Sequence, residues 1–355
     1  MISILLLCAG GLVAGMLLLP RIPIVRRESD DLALPRTTVI IPARNEENNL
    51  QVLLASLLEG EEKPTQVLVV DDHSIDKTFQ IAQRFGAQVV RSAPLPYGWT
   101  GKTWACYQGA RKASEDVLCF LDADTRMAAG GFRRMMRHFA ELPANTALSV
   151  LPFHETKAWF EQLSLFFNVV LAMAAGGFGA WVPPCLFGQS LILPKQLYVA
   201  AGTHEAVRGE VLEHFKFAVA IRDAGGCIRT TGGRGTLHMR MFPDGFEQLY
   251  TSWQKAFASG AQVTPPFALA LTIYWLSSLA SIVLLLLFSS NWMFAFALYG
   301  LAVLQIAWFA SQLGSFRLLT AILFPVPLVF YFVVFGQSAC KKIRRRPTVW
   351  RGRRV

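Results

Sequence analysis

Asp122 and Asp124 stand two residues apart at the end of the apolar run Leu118 to Leu121. Four consecutive apolar residues fit a parallel strand buried on both faces. Residues spaced by two on an extended chain point the same way, so both carboxylates can face one spot at the carboxyl edge of a sheet. Open α/β folds bind ligands at that edge. A hard divalent cation bridging to a diphosphate suits such a pair. A lone Asp-x-Asp also caps turns, so the pair gains meaning only with company. Two further polar segments follow apolar runs: Pro42-Ala-Arg44-Asn-Glu46-Glu47 and Asp71-Asp72-His-Ser-Ile-Asp76.

The elements that must position these residues read as a doubly wound α/β sheet. Strands are expected over Thr37 to Ile41, Gln66 to Val70, Gln88 to Arg91, Asp116 to Leu121 and Ala147 to Leu151. Helix-period apolar positions fall in Leu50 to Leu58, Asp76 to Phe85, Thr103 to Ala113 and Phe132 to Leu142. In that arrangement three polar loops share one crevice. A nucleotide there needs a carboxylate for base or ribose and a metal for its diphosphate, because no Gly-rich phosphate loop of the Rossmann or Walker type occurs. Lys102 follows a glycine and opens a helix. It either reaches the diphosphate or is a solvated helix-start lysine.

Val39-Ile-Ile-Pro42-Ala-Arg44-Asn-Glu46, Val70-Asp-Asp72-His-Ser74 and Leu121-Asp-Ala-Asp124 closely resemble the nucleotide-binding motifs of family 2 glycosyltransferases, whose fold is GT-A. Gly98-Trp-Thr-Gly-Lys102-Thr-Trp-Ala-Cys-Tyr-Gln-Gly109, Phe153-His-Glu-Thr-Lys157, Phe187-Gly188 and Arg240-Met-Phe242 resemble the carotenoid-acid branch, the diaponeurosporenoate glycosyltransferases. The resemblance covers about Thr37 to Ala261. It implies an inverting transfer of a hexose, glucose from UDP-glucose, to a long polyene lipid, with Mg or Mn as divalent cation. It also implies Asp72 on the uridine, Asp122 on the ribose or metal, Asp124 on the metal, and Pro42, Arg44 and Glu46 lining the nucleotide pocket.

Two departures from the family pattern matter. Val211-Leu-Glu213-His214 lies where the wider family has Glu-Asp, with the Asp as catalytic base, so the base is Glu213, or His214, or is not needed. A carboxylic acid acceptor, with a pKa of about 4 to 5, is already ionised at neutral pH and attacks without deprotonation. Downstream, Gln248 and Trp253 occupy the region of the Gln-x-x-Arg-Trp motif of processive members, but the spacing differs and the Arg is missing. A single sugar addition is therefore expected, with Gln248 and Trp253 on the acceptor side.

The chain has 355 residues, 53% of them hydrophobic, a mean hydropathy of +0.38 and a formal net charge of +10. That is too apolar for a purely soluble protein, and membrane segments are expected. Residues 1–20 read as a transmembrane anchor, 36–262 as a cytoplasmic GT-A domain, 266–337 as further transmembrane segments and 338–355 as a basic cytoplasmic tail. Ala158 to Trp181 reads as an interfacial helix pair shaping a lipid entrance, or as a buried core helix. Pro325 and Pro327 break the last apolar segment, Leu318 to Phe335, which is expected to be re-entrant and so to leave the tail cytoplasmic. Arg21, Arg26 and Arg27, with Lys341, Lys342, Arg344, Arg345, Arg346, Arg351, Arg353 and Arg354, put the basic excess beside the membrane. Anionic lipid headgroups fit it better than nucleic acid. Six unpaired-looking cysteines suit a reducing compartment. The expected protein is a multi-pass membrane enzyme. Its alternatives are a transferase for another lipid hydroxyl (hopanoid, sterol, ceramide or diacylglycerol) and a UDP-sugar-binding membrane protein without turnover.

Overall fold

The computed structural model describes residues 2–25, 33–60, 62–175, 177–179, 182–210, 212–343, 349–350 and 353–354. Arg26, Arg27, Trp181, Val211, Arg344, Arg345, Arg346 and Arg351 lie outside them. The elements, in chain order, begin with α1 (Ile2–Leu18), β1 (Thr37–Ala43), α2 (Glu47–Leu58), β2 (Gln66–Asp71), α3 (Thr78–Arg84), β3 (Gln88–Arg91) and α4 (Gly101–Lys112). Next come β4 (Val117–Leu121), β5 (Thr125–Met127), α5 (Gly131–Ala140), β6 (Thr146–Leu151), β7 (Phe153–His154), α6 (Leu165–Ala175) and β8 (Ser190–Pro194). The chain continues through α7 (Lys195–Ala200), α8 (Glu213–Asp223), β9 (Cys227–Gly232), β10 (Leu237–Met239), α9 (Phe246–Val263), α10 (Pro266–Phe288), α11 (Trp292–Leu313), α12 (Leu318–Ile322) and α13 (Pro325–Ile343). These elements divide into two compact units: Pro23–Phe153 with Pro184–Arg240, and Met1–Ile22 with His154–Pro183 and Met241–Val355.

The first unit is a mixed seven-stranded sheet in the order β3-β2-β1-β4-β8-β6-β9. β3, β2, β1 and β4 run parallel, β8 is antiparallel to both β4 and β6, and β9 is parallel to β6. Val39, Ile40 and Ile41 of β1 and Leu118 and Cys119 of β4 are fully buried, which is why these central strands read as continuous apolar runs. On one face, Leu50, Leu53, Leu54 and Leu57 of α2 repeat with helical spacing and pack with Phe132, Met135, Met136 and Phe139 of α5 in one core. On the other face α4 approaches the sheet closely. A Cβ on Gly109 would lie 2.4 Å from Ile40 Cγ2, so only glycine permits this helix-to-strand distance.

The second unit is helical. Gly10, Gly11 and Gly15 give α1 a small-residue face, and Cβ atoms there would meet Tyr274, Ser278 and Trp275 of α10 at 2.1 to 2.6 Å. That approach lets side chains reach the α1 backbone. Ser278 Oγ donates to Cys8 O at 3.0 Å, and Trp308 Nε1 to Pro20 O at 2.9 Å. Trp275 Nε1 donates to Gln305 Oε1 at 2.9 Å, and Gln305 Nε2 in turn to Leu12 O at 2.6 Å. α10 and α11 are long and apolar enough to cross a bilayer. Their outward residues, among them Leu287, Phe288, Met293 and Leu304, are exposed apolar side chains. The segment from Leu318 divides into α12 and α13. Pro325 opens α13, where its missing N–H costs nothing, and Pro327 falls in the same first turn.

Candidate active site

Strands β2, β1 and β4 are neighbours, so their carboxyl ends bring Asp71-Asp72, Pro42-Ala-Arg44 and Asp122-Ala-Asp124 side by side. The first two loops are locked together. Asp72 N donates to Ala43 O at 2.8 Å, Asn45 N to Ser74 Oγ at 3.0 Å, and Ile75 N to Asn45 Oδ1 at 3.0 Å. Asn45 (φ 53°) and His73 (φ 56°) take left-handed backbone conformations at the tips of these loops. That strain is uncommon outside glycine and collects at functional sites. Arg44 Nη1 donates to Asp72 O at 2.9 Å and lies 3.6 Å from Asp72 Oδ2. Glu46 is buried and accepts from Asn49 Nδ2 at 2.8 Å.

At the third strand end Lys102 is the hub. Thr100 caps α4 by accepting from Thr103 N, and Thr100 N and Thr103 Oγ1 both donate to Arg208 O at 2.8 Å. This fixes the first turn of α4 against the loop that leads into α8. From that turn, Lys102 Nζ lies 2.7 Å from Asp122 Oδ1 and 2.9 Å from its Oδ2, donates to Gly188 O at 2.8 Å, and stands 3.3 Å from Glu213 Oε1. Glu213 and His214 open α8. The His214 ring packs against the loop before β8, where a Cβ on Gly188 would lie 3.1 Å from Nδ1. Pro42, Cys106, His204 and Phe217 line the same crevice as Lys102, Asp122, Glu213 and His214.

The electrostatics follow from this crowding. Burial alone would lower the Lys102 pKa, but the carboxylates of Asp122 and Glu213 outweigh it and hold the ammonium above the usual lysine value. Burial pushes the Asp122 carboxyl up and Lys102 pulls it back. Glu213 and Glu46 add to the upward push, and the balance stands above the usual carboxylate range. Glu213 feels burial too, yet Lys102 and then His214 carry it below that range. Burial lowers the His214 ring to about 4, only partly offset by Glu213, so the imidazole is neutral and a weak base.

One lysine thus faces Asp122 and Glu213, with Glu46 close enough to be felt and Asp124 two residues on. Hard carboxylate oxygens of this kind suit a divalent cation. Among the described residues no group of three or more His, Cys, Asp or Glu side chains is assembled to hold a metal. Were Asp122 and Asp124 to hold an ion, the protein's share of its ligands would be one or two carboxylates and the rest would come from a ligand or water, as is common for Mg²⁺ with phosphates.

The sites expected from sequence are thus partly gathered. Pro42, Lys102, Asp122, Glu213 and His214 share one crevice, Arg44 and Asp72 form a pair beside it, and Asp124 sits on the turn after β4. Lys102 is engaged by carboxylates and is not a solvated helix-start lysine. Gln248 and Trp253 belong to the helical unit. Gln248 Nε2 donates to Asp244 Oδ2 and its Oε1 accepts from Asp244 N, which closes the start of α9. Trp253 is buried, stacked on Phe167 with ring centroids 4.6 Å apart, and donates to Ser164 Oγ at 3.2 Å. Sequence reasoning missed Gly188 as a ligand of Lys102, and Cys106, His204 and Phe217 as lining. The Phe187-Gly188 pair and the Gly98 to Gly109 segment that contains Cys106 offered the signals.

The family model for glycosyl transferase family 2 matches residues 38–215. The chain is 30% identical over 327 residues, 89% of this chain and 87% of the relative, to the 4,4'-diaponeurosporenoate glycosyltransferase of Staphylococcus aureus (strain USA300). The protein of the same name from strain MRSA252 is 29% identical over the same shares. Among solved structures, the mannosyltransferase PcManGT from Pyrobaculum calidifontis, in complex with GDP-Man and Mn2+, matches 97% of this chain and 98% of its own with a TM-score of 0.55 at 16% identity, a likeness of fold. With the motifs at three adjacent strand ends of a mixed α/β sheet, the chain belongs to glycosyl transferase family 2, as an enzyme of the GT-A fold.

Proposed function

We propose that this glycosyltransferase moves glucose from UDP-glucose to the carboxylate of a C30 carotenoid acid, forming a glycosyl ester by a single inverting displacement. The names of the S. aureus relatives support the acceptor class. The observation that carries the reading is the state of the two residues at the base position. Glu213 is held by Lys102, 3.3 Å away, and His214 is a neutral ring with a pKa of about 4. A hydroxyl acceptor needs a stronger and less encumbered base, whereas a carboxylate needs none.

In this reading Asp72 holds the uridine, Pro42, Arg44 and Glu46 line the nucleotide pocket, and Asp122 faces the ribose or the ion. Asp124 holds a divalent cation, Mg or Mn, which supplies charge stabilisation to the departing diphosphate when bound. The acceptor carboxylate oxygen attacks the anomeric carbon from the face opposite the diphosphate. The C–O bond to the β-phosphate breaks, and its electron pair leaves with UDP. α10 and α11, with α1, cross the membrane, the phase in which a long polyene acceptor dissolves. The catalytic unit is cytoplasmic, the basic flanks meet anionic headgroups, and the broken α12–α13 segment folds back from the bilayer.

The test is a transfer assay on the full chain in nanodiscs, with radiolabelled UDP-glucose, a divalent metal and a panel of a C30 carotenoid acid, a hopanoid, a ceramide and diacylglycerol. Label should move to the carotenoid acid in a product cleaved by mild alkali. An alkali-stable glycoside on a hydroxyl lipid would replace the acceptor assignment.

A further inference from the structure

Lys102 has an unexpected position for a residue beside a metal-type carboxylate pair. Its ammonium chelates both oxygens of Asp122, at 2.7 and 2.9 Å, and completes its shell with Gly188 O and Glu213. These are oxygen contacts of the kind a small cation would make. The lysine is not a chance visitor: the Thr100 and Thr103 contacts to Arg208 O fix the turn that carries it. No third His, Cys, Asp or Glu is grouped with the pair among the described residues. Asp122 is thus already engaged by a cation that belongs to the chain.

We propose that Lys102 is a resident cation that closes Asp122 to a divalent ion, so that the metal joins the site only together with a nucleoside diphosphate. The inference rests on the reading of Asp122 and Asp124 as metal ligands. The diphosphate opens the site by competing for the same ammonium. Its oxygens draw the Lys102 ammonium off Asp122 while it keeps its contact with Glu213, and the released carboxylate and the phosphates would then ligate the ion together. Lys102 is thereby a positioning residue that couples donor and metal binding, and it protects the crevice from free metal.

Mn²⁺ binding to the detergent-solubilised full chain, followed by electron paramagnetic resonance, tests this without reference to turnover. The wild type should bind Mn²⁺ weakly alone, and at least ~10-fold tighter with saturating UDP, since two unlike charges at contact interact by several RT even at moderate dielectric. Lys102→Met should bind Mn²⁺ alone at least ~10-fold tighter than the wild type, because the competing charge is gone. Adding Asp122→Asn to that variant should abolish the gain. If Lys102→Met fails to fold, the wild-type background decides: Asp122→Asn should change nucleotide-free Mn²⁺ affinity by less than about threefold, a carboxylate already occupied having little to lose. A tenfold loss there would show Asp122 open to metal and overturn the proposal. UDP-dependent Mn²⁺ binding in the wild type without any gain in Lys102→Met would overturn the proposal and leave the metal assignment standing. No Mn²⁺ binding even with UDP would remove both.

Discussion

The base position allows a sharp test through His214→Gln. Gln keeps a hydrogen-bonding group of similar reach beside Gly188 but has no proton affinity near pH 4. Loss of a true general base costs about 10²- to 10⁴-fold, equivalent to roughly 2.7 to 5.4 kcal/mol of barrier. The His214 ring, with its pKa of about 4, is poorly matched to removing a hydroxyl proton at neutral pH. With a carotenoid acid as acceptor, His214→Gln should therefore lower kcat/KM by less than about tenfold, the remaining loss reflecting packing around Gly188. The pH profile adds an independent sign. Activity should fall as pH drops toward the acceptor's own pKa of about 4 to 5, because protonation removes the nucleophile. That acid limb should persist unchanged in His214→Gln. The assay is kcat/KM for the carotenoid acid at saturating UDP-glucose in nanodiscs between pH 4.5 and 8. A loss of two orders of magnitude, or an acid limb that vanishes with the histidine, would refute the carboxylate-acceptor reasoning.

Three other outcomes are expected. Asp124→Ala should abolish metal-dependent UDP binding in calorimetry while leaving the circular dichroism spectrum intact, and retained transfer would remove Asp124 from the site. His204 is buried between Phe217 and Tyr198, and burial lowers its ring to about 4, with Lys102 pulling down and Glu213 up. The unfolded chain takes that proton near pH 6.5, so the stability due to this group is whole above 6.5 and declines below it, by up to about 1.4 kcal/mol per pH unit. His204→Phe should flatten the fall in melting temperature between pH 6.5 and 4.5, and an unchanged slope would refute the assignment. Asn168 of α6 is buried, and among the described residues neither of its side-chain amide atoms is hydrogen-bonded. Asn168→Leu should raise stability by about 1 to 3 kcal/mol by removing an unsatisfied buried polar group, read as a higher midpoint in thermal unfolding.

The parts of the fold legible in the sequence are those where one physical signal dominates. β1, β2 and β4 announce themselves as apolar runs ending in Pro42, Asp71 and Asp122, because the middle residues of strands buried on both faces are apolar. β8 escaped notice. Its Leu191-Ile-Leu193 is apolar, but nothing in so short a run tells that it will run antiparallel between β4 and β6. The candidate site divides the same way. Carboxylates at strand ends are local, whereas two of the partners of Lys102 lie 20 and 86 residues along the chain, Glu213 lies farther still, and all meet it only after folding. Trp253 shows the converse: its place near a motif region suggested a ligand role, and its indole is stacked on Phe167 inside the helical unit.

The glycine face of α1 has a consequence for how the protein is made. α1 ends at Leu18 and its partner α10 begins at Pro266. At a ribosomal pace of about 5 to 20 residues per second, roughly 12 to 50 s separate the two. Throughout that interval Gly10, Gly11 and Gly15 have no Tyr274, Trp275 or Ser278 to pack against, and the carbonyls of Cys8 and Leu12 lack their second, side-chain donors. α1 is thus completed only after the chain between the two helices has been made, and assembly joins segments far apart in sequence.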